Sequence, residues 1–521
     1  MKDDSYCCLS FILIYDTKLR VGKTLRIELG QENKSVCRSI PKKKFIPSAV
    51  RFLHLTLLIG KRKIMIKKYV LLIQFLLTVS ASNAQQVIDG DQLHQYLNIQ
   101  QQRLGFNGVV MVSSNGRTVF ADSIGQASLE LGVPLSTKSV FRLASISKSF
   151  TATLTLLAIN EGKFTIQDSL AKFFPQLKDP QWRKITIDQL LSHRSGIPHN
   201  EGIEDYWKEK STIELSRGMA LKEIFSLKLA ATPGTESKYS SPGYFLLASI
   251  LENTYAKSYG DLILEKICIP LQLSHTGQLN NSKIIPHLVS PYQLAEEMLT
   301  MAPYRSFSLM KGSGDLYASA GDLLRFANSF GNGKWPLKLE KEMFAAHSEE
   351  PVGHGDLYGY GWFIKNSHEE IPKAYYHGGG SFGVSTLVAF YPEEKLAIAL
   401  LCNVAVLPVN EIWADLEKMI FGKPFAMPLI RKNMTITTNE IKSLPGNYVS
   451  DNGMQLQVIS QSGKLYAKLG NNPLFEIFCE EPMKYYGKKV SIDFIFEEGA
   501  DGKANQIKAM GMGKLFSFSR K

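Results

Sequence analysis

Cysteine is scarce in this 521-residue chain, with six in all. Only Cys268, Cys402 and Cys479 lie beyond residue 84, an odd number set far apart. That spacing excludes a disulfide framework and a thiolate metal site, so the three read as buried small hydrophobes. No other metal-ligand spacing is present, and neither a metal nor a cofactor is expected. No apolar run approaches the roughly 20 residues that a membrane span needs. Positive charge is also missing from most of the chain. The net charge is +12, yet residues 1–64 hold fourteen Lys and Arg against five Asp and Glu, and Lys67 and Lys68 add two more. Everything after Ala84 is close to neutral, which removes the electrostatic footprint of a nucleic-acid-binding protein. A hydrophobic fraction of 44% supplies a real core, and the length allows two domains.

The front end has its own logic. From Met65 the segment MIKKYVLLIQFLLTVSASNA has a short cationic start, an apolar run from Tyr69 to Val79, and small residues at Ser82 and Ala84 before Gln85. These are the three parts of a secretory signal peptide. We expect residues 65–84 to be that signal, residues 1–64 to be an upstream over-extension of the reading frame, and the mature chain to be periplasmic or secreted. Once the signal is removed no stable membrane span is expected. No Cys near the cleavage point provides for a lipid anchor.

Within the mature chain, FNGVVMVSSNGRTVFADS reads as two strands joined at Asn115-Gly116, a strong hairpin signal. A second hairpin, STLVAFYPEEKLAIALLCN from Ser385, turns at Pro392 to Lys395. Between them the period is helical, as in SKSFTATLTLLAINEG from Ser147 and YFLLASILENTY from Tyr244. Strands at both ends with helices between predict one sheet assembled from both ends of an α/β domain over residues 85–424, with a helical lobe inserted and a cleft between. After Lys423-Pro424 the pattern changes to short alternating runs, MQLQVI, KLYAKL and SIDFIF, separated by turn residues. Residues 437–521 therefore predict a small all-β barrel or sandwich.

Chemistry concentrates at FRLASISKSF, where Ser145 and Lys148 stand three apart at a predicted helix start and so share one face. A neutral Lys148 in that position can take the hydroxyl proton, which requires burial or nearby positive charge to lower its pKa. The Ser145 backbone N–H, at a helix N-terminus, suits a developing oxyanion. Spacing alone is weak, because Ser39, Ser169 and Ser308 also have Lys three residues on.

Context distinguishes Ser145. FRLASISK, EGKFTIQDSLAKFFP, ITIDQLLSHRSGIP, YSSPGYFLLASILE and HGGGSFG follow one another in the order found in the serine β-lactamase and penicillin-binding-protein superfamily. The chain resembles its class C β-lactamase-like branch of esterases and D-aminopeptidases from about Leu104 to Asn403. The resemblance implies the β-lactamase/transpeptidase fold, an antiparallel sheet flanked by helices plus a helical lobe. It also implies Ser145 as nucleophile, with Lys148 and Tyr239 sharing the proton traffic and the choice of base between them open. His377 would be a fourth catalytic residue at the start of the strand that borders the cleft, Gly380 would add a second oxyanion N–H to that of Ser145, and Ser241, Gly378 and Gly379 would contact substrate. His193 in LSHRSG reads as a structural turn, and YGYGWF from Tyr358 as core and cleft wall.

Two departures bear on substrate. Tyr239-Ser240-Ser241 stands where class C relatives have Tyr-x-Asn, and His377 stands where many relatives have Lys-Thr-Gly. Esters, D-amino-acid amides or short peptides are the expected partners in place of β-lactams. D-alanyl-D-alanine carboxypeptidase or β-lactamase activity, and a catalytically silent ligand-binding role, are the alternatives.

Overall fold

The computed structural model describes residues 88–521, except for 296–297, 349, 353–354, 406, 452, 471–473, 488–491 and 512–513. The expected signal at 65–84 and the segment 1–64, with Cys7, Cys8 and Cys37, lie outside the described residues. Cys268, Cys402 and Cys479 are buried and unpaired.

Both sequence-predicted hairpins form. At the first turn Asn115 (φ 51°) and Gly116 (φ 73°) both take the left-handed conformation that a tight two-residue hairpin requires. Its strands, Gly108–Ser114 and Arg117–Ile124, join Val384–Tyr391 and Leu396–Cys402 in one seven-stranded antiparallel sheet. The order is Leu357–Tyr358, Phe363–Lys365, Ala374–Ser381, Val384–Tyr391, Leu396–Cys402, Gly108–Ser114, Arg117–Ile124. At the junction of the two ends, Gly108 lies opposite Cys402.

The three central strands are apolar at almost every position because both faces of the sheet are covered. Val109 and Met111 point into one core, where Leu323 and Phe326 of helix Ala320–Ala327 meet them. Val110 and Val112 point into the other, with Tyr96 and Leu97 of helix Gly90–Leu104 and Trp413 and Leu416 of helix Val409–Ile420. Each fully buried large apolar side chain contributes roughly 1.5–3 kcal/mol, so these two layers fix the sheet that carries the site.

The inserted lobe is built on helix Ser147–Asn160, which is buried on nearly all sides and packs against helix Ser241–Tyr255. Its threonines tolerate burial by returning their hydroxyls to the helix. Thr151 donates to Ser147 O (3.2 Å), Thr153 to Ser149 O (2.8 Å) and Thr155 to Thr151 O (2.8 Å).

Residues 425–436 lead to the second domain. Phe425 and Met427 pack on the first domain, whereas Arg431 pairs with Asp493 and Ile436 packs into the second. Eight strands from Gly446–Ser450 to Lys514–Arg520 close into a barrel rather than splitting into a sandwich, because the first pairs with the last through Tyr448 opposite Arg520. Arg520 secures that seam by donating to Pro445 O, Ser443 O and the Tyr448 hydroxyl. Among the described residues no helix is long and apolar enough to cross a membrane.

Candidate active site

Strand Val140–Arg142 delivers the chain into a 3-10 turn, Ala144–Ile146, and the α-helix starts only at Ser147. Ser145 therefore stands on the turn before the helix, half-exposed. Ala144 enters the turn with φ 47°, a left-handed conformation that costs a non-glycine residue on the order of 1–3 kcal/mol. Neighbouring strands hold it there. Thr386 donates to Leu143 O at 2.9 Å, and Gly379 runs so close that a Cβ would sit 2.2 Å from Leu143 O and 2.3 Å from Thr386 Oγ1.

Lys148 is fully buried beneath Ser145. Its Nζ lies 3.0 Å from Ser145 Oγ, 3.1 Å from Ser241 Oγ and 2.9 Å from Ser313 O. The Ser313 carbonyl can only accept. A neutral amine has two N–H groups and one lone pair, so donation to Ser313 O and Ser241 Oγ leaves the lone pair for the Ser145 hydroxyl. Burial drives the Lys148 pKa well below the ordinary lysine value, which favours that neutral form.

Tyr239 completes the group. Its ring lies 4.7 Å from Lys148 Nζ, and it lines the same cleft as Ser145. Burial raises the phenol pKa, so the hydroxyl is neutral. Ser241, expected to contact substrate, lines the cleft, but its hydroxyl oxygen accepts from Lys148.

Two histidines hold the Tyr239 segment in place. His193 adopts φ 59°, in keeping with a turn, and its carbonyl accepts from Lys238 N at 2.8 Å while its Nδ1 accepts from Ser240 N at 3.1 Å. Tyr239 is thus clamped on both sides, with its ring 4.3 Å from the imidazole. His199, which nothing in PHNEG singles out, accepts from Ser241 N through Nδ1 at 3.1 Å. Ser240 caps the following helix by accepting from Gly243 N, and Pro242 sits in its first turn. Both imidazoles act as acceptors and must be neutral. Burial depresses both pKa values, that of His193 well below normal and that of His199 to about 4.

A pH dependence follows. An unfolded His199 takes a proton near the ordinary imidazole value of 6.5 whereas the folded one resists until about 4. The unfolded state therefore binds more protons in that window, and stability falls as pH drops from about 6.5 to about 4. Thermal melts across the window are expected to show falling Tm, with a shallower slope in His199→Gln, whose amide oxygen keeps the acceptor without titrating. An unchanged slope would dismiss the assignment.

His377 is fully buried in strand Ala374–Ser381. Its Nδ1 lies 2.7 Å from Gly378 O, which can only accept, and its Nε2 lies 3.0 Å from the Tyr358 hydroxyl. The imidazole belongs to an aromatic cluster with Phe363 and Tyr358. The ladder with Phe363–Lys365 ends at Tyr376, so among the described residues Gly378–Ser381 has a strand neighbour on one side only, Val384–Leu387. Gly380 is exposed there, and a Cβ on it would meet nothing within 4 Å. This edge, Ser145, Tyr239 and the rim residues Trp207 and Phe382 line a cleft of about 1300 Å³.

A family model described as Beta-lactamase matches residues 91–417. Penicillin-binding protein 4* of Bacillus subtilis (strain 168) is 26% identical over 429 residues, covering 77% of this chain and 92% of that protein. Teichoic acid D-alanine hydrolase of Staphylococcus aureus is 24% identical, covering 61% of this chain and 76% of its own. Among solved structures, the octameric penicillin-binding protein homologue from Pyrococcus abyssi matches with a TM-score of 0.59 at 21% identity, over 83% of this chain and all of that one. At that identity the likeness concerns the fold.

Proposed function

Because the chain belongs to the Beta-lactamase family, we propose that it is an exported serine hydrolase that cleaves an ester or amide through an acyl-enzyme on Ser145. The observation that carries the reading is the buried Lys148, with Nζ 3.0 Å from Ser145 Oγ and two further acceptors, Ser241 Oγ and Ser313 O, for the N–H groups of its neutral form. In the first step Lys148 takes the hydroxyl proton as Ser145 Oγ attacks the carbonyl carbon. The N–H groups of Ser145 and Gly380 receive the oxyanion. Tyr239, neutral and against Ser145, passes a proton to the leaving oxygen or nitrogen as that bond breaks, and is reprotonated from Lys148. Water then attacks the acyl carbon, gives its proton to the same pair, and releases the acid and Ser145.

The substrate class follows from the far wall. His377 spends its imidazole on Gly378 O and the Tyr358 hydroxyl, within a buried aromatic cluster, so it offers the cleft no exposed cation in the place of lysine. Simple esters and D-amino-acid esters or amides suit this wall better than β-lactams, and the D-alanine specificity in the name of the staphylococcal relative points the same way. Export rests on the leader pattern of residues 65–84.

The test is incubation of protein beginning at Gln85 with p-nitrophenyl esters, D-alanyl esters and amides, nitrocefin and D-alanyl-D-alanine peptides. Mass spectrometry of the quenched protein, with Ser145→Ala as the blank, reads the adduct. An acyl adduct confined to Ser145 and fastest turnover on esters or D-alanyl compounds are expected. Fastest turnover of nitrocefin or peptide would favour the β-lactamase or carboxypeptidase alternative. Failure of every substrate to turn over or acylate would leave a silent binding protein. Intact mass of the exported protein is expected to begin at Gln85.

A further inference from the structure

Among the described residues, two arginines near the nucleophile turn have no acidic partner. Arg142, three residues before Ser145, buries its Nη1 with no hydrogen-bond acceptor and makes no ion pair among the described residues. Arg305 buries its Nε in the same unsatisfied way. Its Nη1 donates to Trp207 O at 3.2 Å and to Ser211 Oγ, and its guanidinium lies 3.3 Å over the Phe382 ring. Burial lowers the pKa of both, and no carboxylate among the described residues offsets it. Buried guanidinium groups are ordinarily paired, because desolvating one without an acceptor is costly.

Both arginines line one pocket of about 250 Å³, together with Ala144, Gly314, Tyr304 and Val384. This pocket shares Arg305, Ser381 and Phe382 with the main cleft. It therefore adjoins the cleft at Ser381 and Phe382, just past Gly380. Its volume admits a small charged group and not a second substrate.

We propose that the Arg142–Arg305 pocket is an anion subsite, which receives a carboxylate or phosphate carried by the substrate whose carbonyl reacts at Ser145. This rests on the hydrolase reading for its link to turnover, but not for binding. Guanidinium groups favour both anions through paired N–H donors. The fixed position of Arg305, stacked on Phe382 and tied to Trp207, makes it a specificity-determining residue. Substrates with an anionic group a few bonds from the scissile carbonyl are then preferred over neutral ones of the same shape.

The experiment compares mono-p-nitrophenyl succinate with its methyl ester in the protein beginning at Gln85. The anionic ester is expected to have the higher kcat/KM by roughly 10-fold or more. That ratio is expected to collapse toward unity in Arg142→Gln and in Arg305→Gln, and to survive in part in Arg305→Lys. If Arg142→Gln does not fold, the two Arg305 variants carry the comparison. A second arm uses Ser145→Ala protein and calorimetric titration with succinate and with inorganic phosphate. Arginine-dependent binding of succinate identifies a carboxylate site, and binding of phosphate alone a phosphate site. Binding without turnover of either ester would uphold the subsite and remove the hydrolase reading. Turnover with no anionic preference, and no binding of either anion, would overturn the subsite and leave the hydrolase reading standing.

Discussion

Lys148→Met is expected to lower kcat/KM by about 1,000-fold or more, the loss associated with removing a general base and leaving the nucleophile unactivated. The fold should survive, because thioether and neutral amine have similar reach in a fully buried site. The Ser313 carbonyl and the Ser241 hydroxyl lose a donor, a cost of roughly 1–3 kcal/mol each, partly offset by burying an apolar group. Lys148→Arg should fail as completely, since guanidinium stays protonated and has no lone pair to offer. In the parent protein, activity is expected to fall with decreasing pH through the lowered Lys148 pKa, as the base becomes charged. Stopped-flow acylation kinetics beside thermal melts separate the two effects. Normal acylation by Lys148→Met would transfer the base role to Tyr239.

Gly379→Val should cost about 3 kcal/mol or more and most of the activity. Its Cβ alone would lie 2.2 Å from Leu143 O and 2.3 Å from Thr386 Oγ1, and both belong to elements that hold the Ser145 turn. The strand and the turn must then separate, which displaces the Gly380 edge from the nucleophile. Gly380→Ala is the matched control for stability, because its Cβ meets no atom within 4 Å. Melting temperatures are expected to fall by several degrees for Gly379→Val and to stay level for Gly380→Ala. Equal melts for the two would show that the close approach is not maintained in solution.

Much of this architecture is legible in the sequence where a local rule applies. Asn115-Gly116 fixes a hairpin because both residues accept positive φ, and the alternation after residue 437 marks strands. That alternation cannot distinguish barrel from sandwich, since closure depends on pairing between Tyr448 and Arg520, far apart in the chain. The Ser-x-x-Lys spacing is equally mute by itself. At two of its other occurrences the lysine turns to a carboxylate, Lys172 to Asp168 and Lys311 to Glu252. Lys148 differs through burial and three serine neighbours, a property of assembled structure. His199, the Ser313 carbonyl and Arg305 come from separate loops, and a backbone oxygen leaves no mark on composition. His193 reads correctly as a turn, while the reach of its ring toward Tyr239 appears only once helix Ser241–Tyr255 is docked.

The sheet whose centre joins Gly108 to Cys402 also sets a schedule for biosynthesis. At roughly 5–20 residues per second, the first hairpin waits some tens of seconds for its neighbour to be made. During that interval strand Gly108–Ser114 presents an unpaired edge, and until residues 320–327 are made the face of Val109 and Met111 is without the helix that covers it. Such an edge invites pairing with other chains. A nascent chain of this kind depends on being kept apart from its fellows until residue 402 has been made, and truncation before that point should yield aggregate instead of a smaller folded unit.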